Sequence, residues 1–112
     1  METISKLSNQ TYLFSLDLVL FCKELVTIRE FKSQGDKLAV SGRDLSESLM
    51  DCEDTESAET QKVLLRKAHQ SITEIMNDLN LLKCSGALLN EKTDLILSAW
   101  KIEKELQVYS VL

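Results

Sequence analysis

Residues 13–31, LFSLDLVLFCKELVTIREF, decide how this chain folds. Phe14, Leu18, Phe21, Leu25 and Ile28 recur at spacings of 4, 3, 4 and 3, the period of a packed helix face. At about 100° of rotation per residue, Leu13, Leu16 and Leu20 fall on roughly the opposite side. A helix in a small monomer normally buries one stripe and wets the other. Two stripes call for two packing partners: the chain's own core, and either another copy of the chain or a different protein. Leu13, Leu16 and Leu20 are therefore the candidate oligomer interface.

Reading outward, the sequence divides into four helices. The first is expected over about 10–32, capped by Ser8 or Asn9 and ended by Ser33-Gln34-Gly35, where glycine suits a C-terminal cap. The second is expected over about 36–52, with Leu38, Gly42, Leu45, Leu49 and Cys52 inward. Gly42 weakens a helix by about 1 kcal/mol against alanine; it marks either close helix–helix approach or a tolerated weak spot. The third is expected over about 57–84, with Leu65, Ala68, Ile72, Ile75, Leu79 and Leu82 on one face, Met76 beside them, and Val63 and Leu81 pointing elsewhere. Ser85-Gly86 would close it. The fourth is expected over about 90–110, from an Asn90 cap, with Leu95, Ala99, Ile102, Leu106 and Tyr109 inward and Ile96 and Trp100 widening the stripe. Short connections make successive helices antiparallel neighbours, so the expected fold is an all-α, up-down-up-down antiparallel four-helix bundle forming a single domain over residues 1–112.

The composition agrees. The 112 residues include no proline and three glycines, fewer turn-forming residues than a strand-rich domain needs. A content of 44% hydrophobic and 28% charged residues is that of a globular, not a disordered, chain. The formal net charge of −5 disfavours nonspecific binding to nucleic acid or to an anionic membrane, because phosphate contacts need Lys and Arg. Lys62, Arg66 and Lys67 form the densest basic group, flanked by Glu59 and Glu74. Cys22, Cys52 and Cys84 lie far apart without a CxxC pair, which argues against a disulfide scaffold and a zinc site. The start METISKLSNQ lacks the basic and apolar parts of a signal peptide, and no apolar run reaches membrane-spanning length. A cytoplasmic location is the expectation.

Catalytic chemistry needs convergent polar groups, and few are offered. His69, the single histidine, lies at the edge of the third helix's apolar stripe, where a satisfied boundary residue is the expectation. No Glu-x-x-His pair, Gly-rich phosphate loop, GxSxG or HExxH is present. Five carboxylates lie between Asp51 and Glu59, without the D-x-D-x-D-G pattern of a calcium loop; a solvated connection is expected. Asp17 and Glu24, one heptad apart, are either a buried polar pair or solvated boundary charges. No catalytic residue, metal ligand or cofactor is expected.

The third helix also carries a resemblance. Ala68-x-x-Ser71-x-x-Glu74-x-x-x-x-Leu79, followed by Leu82 and Gly86, resembles a signature of a bacterial four-helix-bundle family. That family includes proteins encoded in intervening sequences of large-subunit ribosomal RNA genes and accessory variability proteins of diversity-generating retroelements. Phe14-Ser15-Leu16-Asp17-Leu18 is similar to the family's opening of the first helix, and Asp44-Leu45-Ser46-Glu47 to its Asn-Ile-x-Glu motif, with Asp for Asn. The family's Arg-Ser-x-x-Ser-Ile run is not reproduced over Asp36 to Ser41, and the aromatic opening the third helix is missing. The resemblance implies an up-down bundle that assembles as a ring, typically a pentamer, without enzymatic activity. Retroelement members use basic surfaces to contact nucleic acid and a reverse transcriptase, a role this acidic chain does not inherit by sequence. The expectation is a noncatalytic self-assembling scaffold or adaptor for an unidentified protein partner. The alternatives are a nucleic-acid-binding accessory protein and a small acidic chaperone-like partner.

Overall fold

The computed structural model describes residues 2–84 and 93–110. Four helices follow in order: α1 (Glu2–Leu25), α2 (Lys32–Asp54), α3 (Ala58–Cys84) and α4 (Thr93–Ser110). Each packs on its chain neighbour, and α1 closes the ring against α4, giving an up-down-up-down four-helix bundle about 43 Å long and 19 Å across. Among the described residues no helix is long and apolar enough to cross a membrane.

The first helix starts earlier and stops earlier than the 10–32 expected from sequence. Ile4, Leu7 and Thr11 extend its buried stripe upstream at the same 3-and-4 spacing, so Ser8 is a buried residue inside α1, not its cap. The buried Thr11 hydroxyl is satisfied by donating to the Leu7 carbonyl at 2.8 Å. At the other end come three β-branched residues, Val26-Thr27-Ile28, which helices accommodate poorly. The Thr27 and Ile28 amides bond back to Glu24 and Leu25, three residues away, and Thr27 Oγ1 donates to the Glu24 carbonyl at 2.6 Å. Ile28 then turns extended and stands exposed instead of joining the core stripe as expected.

A short 3₁₀ turn at Arg29–Phe31 leads directly into α2, which begins at Lys32 instead of Asp36. Gly35 is consequently not a C-cap. It lies inside α2, where the second helix crosses the end of the first. A Cβ there would stand 3.0 Å from Val26 Cγ1, 3.1 Å from Leu25 Cβ and 3.4 Å from the Cys22 carbonyl oxygen. Gly42 is also a contact point: its Cβ would stand 2.9 Å from Leu18 Cδ2. Close approach is thus the reading the structure supports there. The two glycines differ in what must move. At Gly42 the obstacle is the tip of a leucine, so Gly42→Ala should nearly break even against the gain of about 1 kcal/mol in helix propensity. At Gly35 the obstacles include backbone and a Cβ, so Gly35→Ala should cost about 1–2 kcal/mol through helix separation. Thermal melts of the two variants check this, and equal melting temperatures would refute it.

α3 starts one residue after the expected position. Ser57 Oγ accepts from the Thr60 amide at 3.3 Å, an N-cap contact, and the Gln61 side-chain amide donates to the Thr55 carbonyl at 3.0 Å. Every residue expected inward on α2 and α3 is buried, as are Leu95, Ala99, Ile102 and Leu106 on α4. The expected caps Ser85-Gly86 and Asn90, and the Tyr109 side chain, lie outside the described residues. Asp17 and Glu24 are exposed, which decides for solvated charges over a buried pair.

Candidate functional site

Two surfaces gather the residues singled out from sequence. The first is the outer face of α1. Leu13, Leu16 and Leu20 are 63%, 46% and 58% exposed, and Tyr12 and Val19 join them. At about 100° per residue these five span one continuous face, directly away from the Leu7–Phe14–Leu18 core stripe. Tyr12 and Val19 were legible in the sequence from the same rotation. The face ends at the seam between α1 and α4, the most thinly packed of the four. There Leu13, Phe14 and Ile102 line an open cleft of about 290 Å³ with Asp17, Lys101 and Glu105 at its rim.

The second surface is a polar groove of about 470 Å³ between α2 and α3. The register of these antiparallel helices is marked at one end by Lys37 and Asp78 and at the other by Cys52 and Gln61, whose thiol and carbonyl lie 3.9 Å apart. Between them, the four polar positions carried by the resemblance converge: Asp44 and Glu47 from α2, Ser71 and Glu74 from α3. The other two, Ala68 and Leu79, are fully buried core residues. Asp51, Ser48, Lys67 and Gln70 also line the groove, and these the sequence reading did not single out for it. Ser48 follows Ser41 by seven residues along the buried side of α2, a signal that was present.

Outside these two surfaces a few polar side chains make individual contacts. Ser5 Oγ donates to a Glu53 carboxylate oxygen at 3.2 Å, tying α1 to the end of α2. His69 sits at the core boundary as expected, but its Nε2 is buried and has no hydrogen-bond partner among the described residues. Lys104 Nζ stands 5.4 Å from the Trp100 ring centroid, a cation–π contact on the outer side of α4. Trp100, Leu97 and Val108 leave apolar surface on α4 as well. Among the described residues no three His, Cys, Asp or Glu side chains are grouped to hold a metal ion.

The cysteines divide by environment. Burial, and secondarily the Asp36 carboxylate, raise the Cys22 thiol to about 11. Burial, and secondarily Glu53, also raise Cys52. Cys84 is exposed. Since the thiolate is the reactive form, a thiol reagent at pH 8 should titrate Cys84 rapidly and the two buried thiols only after denaturation. Rapid reaction of more than one thiol in the native protein would contradict this packing.

No protein-family model matches the sequence, and no curated protein matches it significantly. Among solved structures, the fold is similar to the crystal structure of a protein of unknown function from the S23 ribosomal protein family of Bacteroides thetaiotaomicron. The TM-score is 0.88 over 98% of this chain and 99% of that one, at 17% sequence identity. At that identity the likeness shows the four-helix fold alone.

Proposed function

We propose that this chain is a noncatalytic, self-assembling helical bundle that acts in the cytoplasm as a scaffold or adaptor for another protein. The observation that carries the reading is the outer face of α1. Five large apolar side chains on one helix of a 112-residue chain leave a contiguous patch that water does not favour. Covering that face with a neighbouring copy removes it from solvent, and repetition around an axis gives a closed ring. The resemblance carried by Ser71, Glu74 and the α2 motif supports a pentamer.

The alternative of a nucleic-acid accessory protein draws on the ribosomal family name of the structural neighbour. Charge weighs against it: Lys67, part of the densest basic group, shares its groove with four carboxylates. Light scattering behind a sizing column, over a wide concentration range, tests the leading reading. A stable oligomer whose mass does not change with concentration is expected. A monomer at every concentration would reject self-assembly.

A further inference from the structure

We propose that the apolar face of α1 on one copy seats against α4 of the next, with Leu16 and Leu20 entering the groove between α3 and α4 beside Trp100. The inference rests on the self-assembly part of the function above and names the surface that receives the α1 face.

The receiving surface is the second apolar region of the molecule. Leu97, Trp100 and Val108 stand exposed on the outer side of α4. Leu97 and Trp100 also line a groove of about 520 Å³, together with Ile96 and with Met76 of α3. Asn80, Lys83 and Asp94 supply its polar lining. On α2 and α3 the exposed large apolar side chains are widely separated: Val40 and Met50 on one, Val63 and Leu81 on the other. α1 thus offers an apolar ridge and α4 an apolar groove, with a tryptophan, the residue type enriched at interface centres, at its edge.

The two surfaces stand at the same height. The cleft at the α1–α4 seam is lined by residues 10–17 of one helix and 98–105 of the other, which run in opposite directions. Leu16 and Leu20 are therefore level with about residues 95–99 of α4, and the groove is lined by residues 94–100. A neighbour set beside this chain with its long axis parallel meets ridge with groove without sliding along the bundle. The cross-section is square, 19 by 19 Å, with α1 and α4 at adjacent corners. Outward directions at adjacent corners differ by about 90°, so each copy turns relative to the last and the contacts close on themselves instead of growing a filament.

Charge favours the unlike pairing. From residue 10 to 22 the single charge on α1 is Asp17. Lys101 and Lys104 stand exposed on α4, Lys104 over the Trp100 ring. Two α4 faces brought together would oppose lysines to lysines, whereas the α1 stretch brings no cation. Two α1 faces brought together would leave Trp100 and its groove in water. Only α1 on α4 covers both apolar surfaces with one repeated contact.

The test mixes two whole-chain variants, each blocked on one face. Leu16→Glu with Leu20→Glu blocks the ridge and keeps the single tryptophan. Leu97→Glu with Trp100→Glu blocks the groove and leaves a chain without tryptophan. All four side chains are about half exposed, so circular dichroism should show both variants folded. Each alone should be a monomer by light scattering at concentrations where the parent is an oligomer. Titrating the groove variant into the ridge variant should shift Trp100 emission to the blue, saturating at one to one. The mixture should reach twice the 12.7 kDa mass of the chain and no more, because each partner keeps one intact face. A groove variant that dimerises or keeps the parental size by itself would overturn the proposal. So would a mixture with unchanged emission and mass while the parent is an oligomer, which defeats the pairing of faces and leaves self-assembly standing. A parent that is monomeric at every concentration defeats self-assembly, and the pairing with it.

Discussion

Replacing Leu16 and Leu20 together by glutamate is expected to leave the bundle folded and to abolish self-association. Both side chains are about half exposed within one chain, at 46% and 58%, so neither supports the monomer's core. In the proposed assembly their burial belongs to a contact between copies. Each leucine contributes about 1.5–3 kcal/mol when fully covered, and a glutamate left there would be desolvated without a cation opposite. Because about half of each side chain is already covered in the monomer, loss of the two leucines alone weakens each contact by about one to two orders of magnitude. Light scattering should then report the 12.7 kDa chain at concentrations where the parent is an oligomer. Circular dichroism should show an unchanged helical signal. An oligomer of parental size in this variant would mean that the α1 face is covered by something other than a second copy, and the exposed Leu97, Trp100 and Val108 of α4 would become the next interface to test.

The fold was legible because most of it is periodicity. The 4-and-3 spacing identifies the buried apolar side chains of α2, α3 and α4, and short connections leave little choice of topology. The first connection was misread for a physical reason. Gly35 suits both a helix terminus and a tight helix crossing, and only the position of α1's end tells them apart. That end is set by the Val26-Thr27-Ile28 run and by Thr27 bonding back to Glu24, local effects that outweigh the apolar spacing reaching Ile28. The upstream start was missed because Ser8 and Asn9 resemble caps, although Ile4, Leu7 and Thr11 already continue the core stripe. The α2–α3 groove was half legible. Asp44, Glu47, Ser71 and Glu74 carry the resemblance, but their meeting depends on helix register, which periodicity within one helix does not supply. Asp78 was not singled out from sequence: it is a buried acidic residue next to Leu79 on the inward side of α3.

That aspartate makes two substitutions act in opposite directions. The Asp78 side chain is 9% exposed, its Oδ1 lies 3.5 Å from Lys37 Nζ, and its Oδ2 is buried without a partner among the described residues. The pair is lopsided, because the Lys37 side chain is 63% exposed and keeps most of its hydration. Lys37→Met removes the one cation paired with this desolvated carboxylate among the described residues. For a fully buried pair that costs about 3–5 kcal/mol; with the cation mostly in solvent, about 1–2 kcal/mol is expected. Asp78→Leu removes the carboxylate itself, together with the unpaired Oδ2, and offers apolar volume to a core of Ile75, Leu79 and Leu82. That change should be neutral or stabilising by about 1–3 kcal/mol. If the penalty of Lys37→Met arises from the stranded charge, adding it to Asp78→Leu should cost almost nothing, since the group it abandons is gone. Chemical denaturation of the two single variants and the double variant measures this cycle. A destabilised Asp78→Leu would mean that the ion pair holds α2 against α3, and that the buried carboxylate fixes their register at a net gain in stability.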